Sequence, residues 1–365
     1  GAQRGDGGVG AHRATLGGRR WEAAPARPVI RRRVPRPAAI LGAVSTTQPR
    51  EPGSTAGAVP TPSGGVPLAP RGRRRDHVLV AVVGALLAPA LLAVAGLAAS
   101  WSLEGRWPAS LGAVVVLVIV SGAAQALFAV RSSLGGLVTG LVALGAEGVV
   151  LASPGGAADA PFAWARTLIP TGMVLVLAGL MLGGSWAMRV ARRAGREQAR
   201  HAQAQAQADR ALGVTPVPPP ARRRDHVLSF PAVAAGVVGA LYLLREEHGR
   251  VVTGTSDLPT AQGLGVLLCA LVLLVAGAAW AGRSTLGARV VGPLLAVAGL
   301  PLLLSGLGRL PGRGLAGALA PADASGISLV GAGAVLATIG WGVHLARREG
   351  RLSEARLLRG GSPAS

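Results

Sequence analysis

The sequence predicts an all-α, polytopic integral membrane protein. Eight transmembrane helices are expected, as two parallel four-helix repeats behind a disordered basic N-terminal tail. Three observations predict this class. Half of the 365 residues are hydrophobic and only 15% are charged, with a mean hydropathy of +0.47, which is far from the composition of a soluble globular chain. Eight apolar runs cover about 78–100, 111–130, 134–152, 168–188, 227–244, 262–282, 286–308 and 326–346. Each run is close to the ~20 residues that a helix needs to cross ~30 Å of hydrocarbon. Finally, short motifs in the first four runs return in the same order in the last four.

Residues 1–75 are rich in Pro, Gly and Arg, with clusters at Arg31-Arg32-Arg33 and Arg73-Arg74-Arg75. They show no sustained apolar period and are predicted to be disordered. Within them, 1–43 has the texture of translated GC-rich non-coding DNA, and Val44-Ser45-Thr46-Thr47-Gln48 reads as a GTG start. The natural product is therefore expected to begin near Val44. All 37 basic residues are Arg, Lys and Asn are missing, and Tyr242 is the single tyrosine. This pattern points to a GC-rich bacterial genome. Arg suits phosphate better than Lys does, but here the codons supply it, so its abundance alone is no sign of phosphate recognition.

The first membrane unit is read as 76–188, the second as 225–346, with a linker over 189–224. The linker starts with Arg189, Arg192, Arg193 and Arg196, runs through an Ala/Gln tract at 201–208, and ends in prolines at 216–220. The tract fits either a continuation of the fourth helix or open linker; the prolines fit only an extended spacer. The basic closing segment 347–365 has a weak amphipathic pattern at Leu352, Ala355, Leu357 and Leu358. It is expected to lie along the membrane surface.

Duplication rests on three matches. Arg73-Arg74-Arg75-Asp76-His77-Val78-Leu79 returns 149 residues later as Arg222-Arg223-Arg224-Asp225-His226-Val227-Leu228. Arg131-Ser132-Ser133-Leu134-Gly135 returns 152 later as Arg283-Ser284-Thr285-Leu286-Gly287. Trp186 with Arg192-Arg193 and Arg196 returns 155 later as Trp341 with Arg347-Arg348 and Arg351. An even number of spans per unit makes the two units parallel. Arginines crowd one side of this topology, while Glu104, Asp159, Glu246, Glu247, Asp257 and Asp323 dilute those on the other. The positive-inside rule then puts both termini in the cytoplasm of a plasma membrane. The external loops are expected at 101–110, 153–167, 245–261 and 309–325. Trp101, Trp107, Trp164, Trp186 and Trp341 fall near span ends, where amphipathic rings prefer to sit.

Several residues are candidates for function. Arg73, Arg74, Arg75, Arg222, Arg223 and Arg224 fit anionic lipid head groups, each worth roughly 1 kcal/mol; they equally fit a topological signal, with Asp76 and Asp225 near helix starts. Arg131 and Arg283 sit in tight hairpins, read either as packed turns or as a gate between the units. Gly136 with Gly140, and Ala288 with Gly292, follow as small-residue pairs that let helices approach. Glu147 is the acidic residue well inside a run, so it should face the bundle interior or water. As a coupling site it should not tolerate Gln; as a bystander it should accept Leu with a slight gain in stability. Gln125, Cys269 and His344 are the other polar or reactive residues in runs, and Pro89, Pro293 and Pro301 are potential helix breaks.

No catalytic, cofactor or metal site is expected. The chain has one cysteine, and its histidines, including His12, His77, His201 and His226, show no metal-like spacing. Nucleic-acid binding is not expected, since aromatic residues do not interleave the arginines. The function expected is a non-enzymatic scaffold or accessory role, with basic segments at the lipid surface. The alternative is a small-solute transporter with its path between the repeats. Anionic lipids, a second copy or another membrane protein are the expected partners.

Overall fold

In lipid, backbone N–H and C=O groups have no outside partner, so a run of this apolarity must satisfy them within a helix. The computed structural model describes residues 72–153, 156–213, 223–256, 260–308, 310–319 and 323–360. The expectations for the N-terminal tail before Gly72, for the proline spacer and for Arg222 fall outside the described residues. The helices are α1 (Gly72–Leu103), α2 (Trp107–Val130), α3 (Leu134–Ala152), α4 (Ala163–Leu168), α5 (Met173–Leu212), α6 (Arg223–Thr253), α7 (Thr260–Trp280), α8 (Leu286–Leu303), α9 (Arg313–Leu319) and α10 (Ile327–Gly360). Eight of them, all but α4 and α9, are long and apolar enough to cross a membrane. No strand occurs among the described residues. The architecture is that of a helical membrane protein.

Helices α5 and α10 form the centre. Their most apolar stretches are 78% buried, against 33–44% for the other six spans. They run side by side, with α5 also packed on α3 and α7, and α10 on α8 and α2. Outside them, α1 packs on α2 and α3, and α6 on α7 and α8. The outer helices leave Val82, Leu86, Ile119, Val149, Leu268 and Val297 exposed, the surface a bilayer would cover.

The small-residue pairs work as expected. A Cβ on Gly140 would lie 2.7 Å from Leu182 Cγ, and one on Gly292 2.7 Å from the Ala337 nitrogen. Both pairs therefore bring a third span against a central helix. Beyond the apolar part, Gly195 of α5 touches the Arg347 carbonyl, and Gly350 of α10 touches the Arg192 carbonyl. The two central helices stay in backbone contact there.

Two sequence expectations change, the first and third below, and two readings that the sequence left open are decided. First, α6 does not end near Leu244 but continues to Thr253, so much of the expected 245–261 loop is helical. Leu241, Leu244, His248 and Val252 are all buried; this i, i+3, i+7, i+11 stripe carries the helix past its charged residues. Second, the Ala/Gln tract belongs to α5, which ends at Leu212 with Gly213 in a left-handed cap. Third, residues 347–360 form no separate surface helix. They continue α10, and Arg200 of α5 binds their buried Glu354 at 2.6 Å. Fourth, α1 runs unbroken through Pro89 and α8 through Pro293, with Pro301 in its last turn.

Candidate functional site

Glu147 lies five residues before the end of α3, and His248 five before the end of α6. Both are 1% exposed, and His248 Nε2 stands 2.7 Å from Glu147 Oε1. Burying a carboxylate costs a few kcal/mol in a span unless a partner compensates it. The imidazole is that partner, so the expectation that Glu147 faces the interior describes its actual position. The two atoms lie within hydrogen-bond distance, and which of them donates follows from the imidazole tautomer. The remaining atoms, Glu147 Oε2 and His248 Nδ1, have no hydrogen-bond partner. A buried polar atom without a partner is costly, so this end of the bundle holds two groups that a bound molecule or water would satisfy.

The surroundings fix the pair. Gly172 precedes α5 with φ of 74°, and a Cβ there would lie 3.5 Å from the His248 ring. This left-handed residue, readily adopted by glycine, turns the chain from the Ile169–Thr171 turn into α5 across the imidazole. Nearby, Ser256 Oγ donates to Glu247 Oε2 at 3.0 Å, and Arg245 donates to the Ala318 carbonyl of α9. Asp323 is buried and accepts from the Ser328 backbone N–H at 2.6 Å, satisfying a donor at the start of α10. Thus α3, α6, α9 and the start of α10 bring polar groups to one end of the bundle.

Most of the described arginines lie at the other end. Arg74 and Arg75 are exposed; the side chains of Arg73, Arg223 and Arg224 are outside the described residues, as is all of Arg222. Asp76 sits in the second turn of α1 and pairs with Arg131 at 2.6 Å instead of capping the helix. Arg283 instead lies 4.8 Å above the Trp280 ring, within cation–π range. Both hairpins are fastened from two sides. His77 Nδ1 meets Ser132 Oγ at 3.0 Å, and His226 Nδ1 meets Ser284 Oγ at 2.8 Å. Arg192 donates to the Phe128 carbonyl at 2.7 Å, and Arg347 to the Gly282 carbonyl at 2.6 Å. The structure therefore separates Glu147 from the described arginine candidates, which lie at the opposite end of the spans.

The remaining polar residues are accounted for singly. Gln125 is buried and donates to Met181 Sδ at 3.2 Å, while Cys269 and His344 are exposed on α7 and α10. The residue that sequence reasoning missed is His248. Arg245-Glu246-Glu247 reads as the end of a span, yet the continuing Leu241–Leu244–His248–Val252 period was a signal that the helix and its buried face went on. In comparisons with known proteins, no family model, curated protein or solved structure matches this chain.

Proposed function

We propose that the protein is a non-enzymatic scaffold or accessory protein of a bacterial plasma membrane, whose arginine-rich end faces the cytoplasm and meets anionic lipid or a partner protein. The observation that carries this reading is the joined extension of α5 and α10. With 40 and 34 residues, these helices are about 60 and 51 Å long, against ~30 Å of hydrocarbon. Beyond the apolar core they stay together through Gly195, Gly350 and the Arg200–Glu354 pair. They present Arg196, Arg200, Arg348, Arg351 and Arg356 as exposed cations. A fixed, basic two-helix projection is suited to holding a surface or partner, and the continuous α1 and α8 offer none of the broken helices from which carriers build substrate sites.

Duplication of a four-span unit belongs to the same proposal. The repeated motifs support it, as do the corresponding His77–Ser132 and His226–Ser284 contacts and the corresponding carbonyl contacts of Arg192 and Arg347. The packing of α5 on α3 and α7 has its counterpart in that of α10 on α8 and α2. The arginine asymmetry supports a cytoplasmic placement of that end, and the codon-driven composition supports a bacterial source.

One observation favours a second reading, a small-solute carrier coupled to protons: the buried Glu147–His248 pair joins a helix of the first unit to one of the second. Purified protein in vesicles loaded with a pH-sensitive dye separates the readings. The scaffold reading expects the same proton permeability for wild type, Glu147→Gln and His248→Asn. A solute-dependent proton flux that both substitutions abolish would replace it with the carrier. A photo-crosslinking residue at Arg196 or Arg351 is expected to trap a discrete protein or anionic lipid in cells, and trapping neither would overturn the scaffold.

A further inference from the structure

We infer that a lateral groove between α2 and α8 binds one acyl chain of an anionic phospholipid, with the head group held by Arg289 and His344. The groove has a volume of about 480 Å³ and a floor formed by α10. Val118 and Gly122 form one wall, Pro293 the other, and Ala334, Thr338 and Trp341 lie along the floor. It is distinct from the arginine boxes at the starts of α1 and α6.

Its origin is visible in the packing. A Cβ on Gly179 or Gly183 would strike Leu274 or Val275, so α7 lies directly on α5. The residues 155 positions later on α10 are Ala334 and Thr338. These added side chains stand where α2 would otherwise approach. Near Gly122 the nearest atom is Thr338 Cγ2, 3.7 Å from a Cβ built there. Helix α2 closes on α10 only further along, where a Cβ on Gly342 would lie 3.0 Å from Gln125 Cβ. Helix α8 meanwhile is held tightly at Gly292 and Gly333. The two flanking helices therefore splay and leave the floor uncovered.

The chemistry selects the occupant. The groove opens sideways beside the exposed Val115, Ile119 and Leu294, a surface that only the bilayer reaches in a membrane. Its one conspicuous polar side chain is spoken for, since Thr338 Oγ1 and Ser121 Oγ lie 2.8 Å apart. An apolar, dry channel of this kind takes hydrocarbon. Its charge is one-sided. One turn beyond Trp341 stands His344, which feels Arg289, Arg347, Arg348 and Arg351, and the Arg289 stem passes beside Gly340. Arg289 and His344 are both exposed, free to meet a phosphate. The far end, at Val114 and Val330, has no charged lining residue. From His344 to Val330 the floor runs about 21 Å, more than half the ~30 Å hydrocarbon thickness, which fits one extended tail with its head at the arginine-rich end.

The test is native mass spectrometry of the full chain, released from membranes holding equal phosphatidylglycerol and phosphatidylcholine with identical tails. Wild type is expected to retain one phosphatidylglycerol with about five-fold preference, the effect of roughly one cation's attraction. Gly122→Leu fills the groove from a position where no backbone obstructs, and should lose this lipid while keeping the wild-type melting temperature. Val118→Phe serves if Gly122→Leu fails to fold. Arg289→Gln should retain a lipid with its preference reduced towards one. Wild type without a retained lipid, a folded groove-filling variant that still holds it, or an undiminished preference in Arg289→Gln would overturn the inference.

Discussion

Replacing Glu147 by Leu removes the one hydrogen-bond partner of a fully buried histidine. A buried polar group left unpaired costs about 1–3 kcal/mol. Thermal unfolding in detergent should therefore show Glu147→Leu clearly below wild type, the reverse of the slight gain that a bystander role would give. Glu147→Leu combined with His248→Leu should recover most of the loss, since an apolar pair can substitute for a buried polar one. Equal melting temperatures for the single and double variants would show that the two residues do not depend on one another. The interior position of Glu147 was legible because a lone acid in an apolar run has few other places to go. Its partner was not, because Arg245-Glu246-Glu247 looks like the rim of a membrane, and hydropathy averages over the stripe that continues through His248.

At the scale of helices, spans were legible and their extensions were not. The sequence predicts a third run over 134–152, and α3 occupies Leu134–Ala152, because hydrocarbon thickness fixes how long an apolar run must be. Past the lipid that constraint is gone, and Ala, Gln and Arg suit a free helix and a linker about equally well. What keeps α5 and α10 together is the absence of side chains at Gly195 and Gly350. Gly195→Leu should drive the two extensions apart. In a Cys269→Ser background, Arg200→Cys with Glu354→Cys should be joined readily by a thiol-specific cross-linker about as long as the two side chains that meet at 2.6 Å. Adding Gly195→Leu should suppress that cross-link while the membrane-spanning helices persist by circular dichroism. An unimpaired cross-link would mean that the glycine contact does not set the pairing.

At the scale of the whole molecule, the number of spans was readable and their neighbours were not. Periodicity tells which face of a helix is apolar, but in lipid both a buried and an exposed face are apolar, so it cannot say which helix meets which. The motif offsets predict an order of units; that α5 and α10 stand at the centre emerges only from packing. The proposed orientation has a direct check. Reporter enzymes active only outside the cytoplasm should be active when fused at 105 and 157 and silent at 205. Activity at 205 would turn the molecule over and place its basic extension outside.

The pairing of Glu147 with His248 also sets an order of events during synthesis. The two residues are 101 positions apart in the chain. At about 5–20 residues per second, the carboxyl group leaves the ribosome several seconds before the imidazole exists. During that interval α3 must wait at the translocon, expose its acid to water, or enter the bilayer without its partner. The first four spans alone therefore carry an unanswered group into the membrane, and only the arrival of α6 answers it. The first half is therefore expected to settle only once the second is made, so that a chain stopped after α5 should be degraded faster in cells than the full chain.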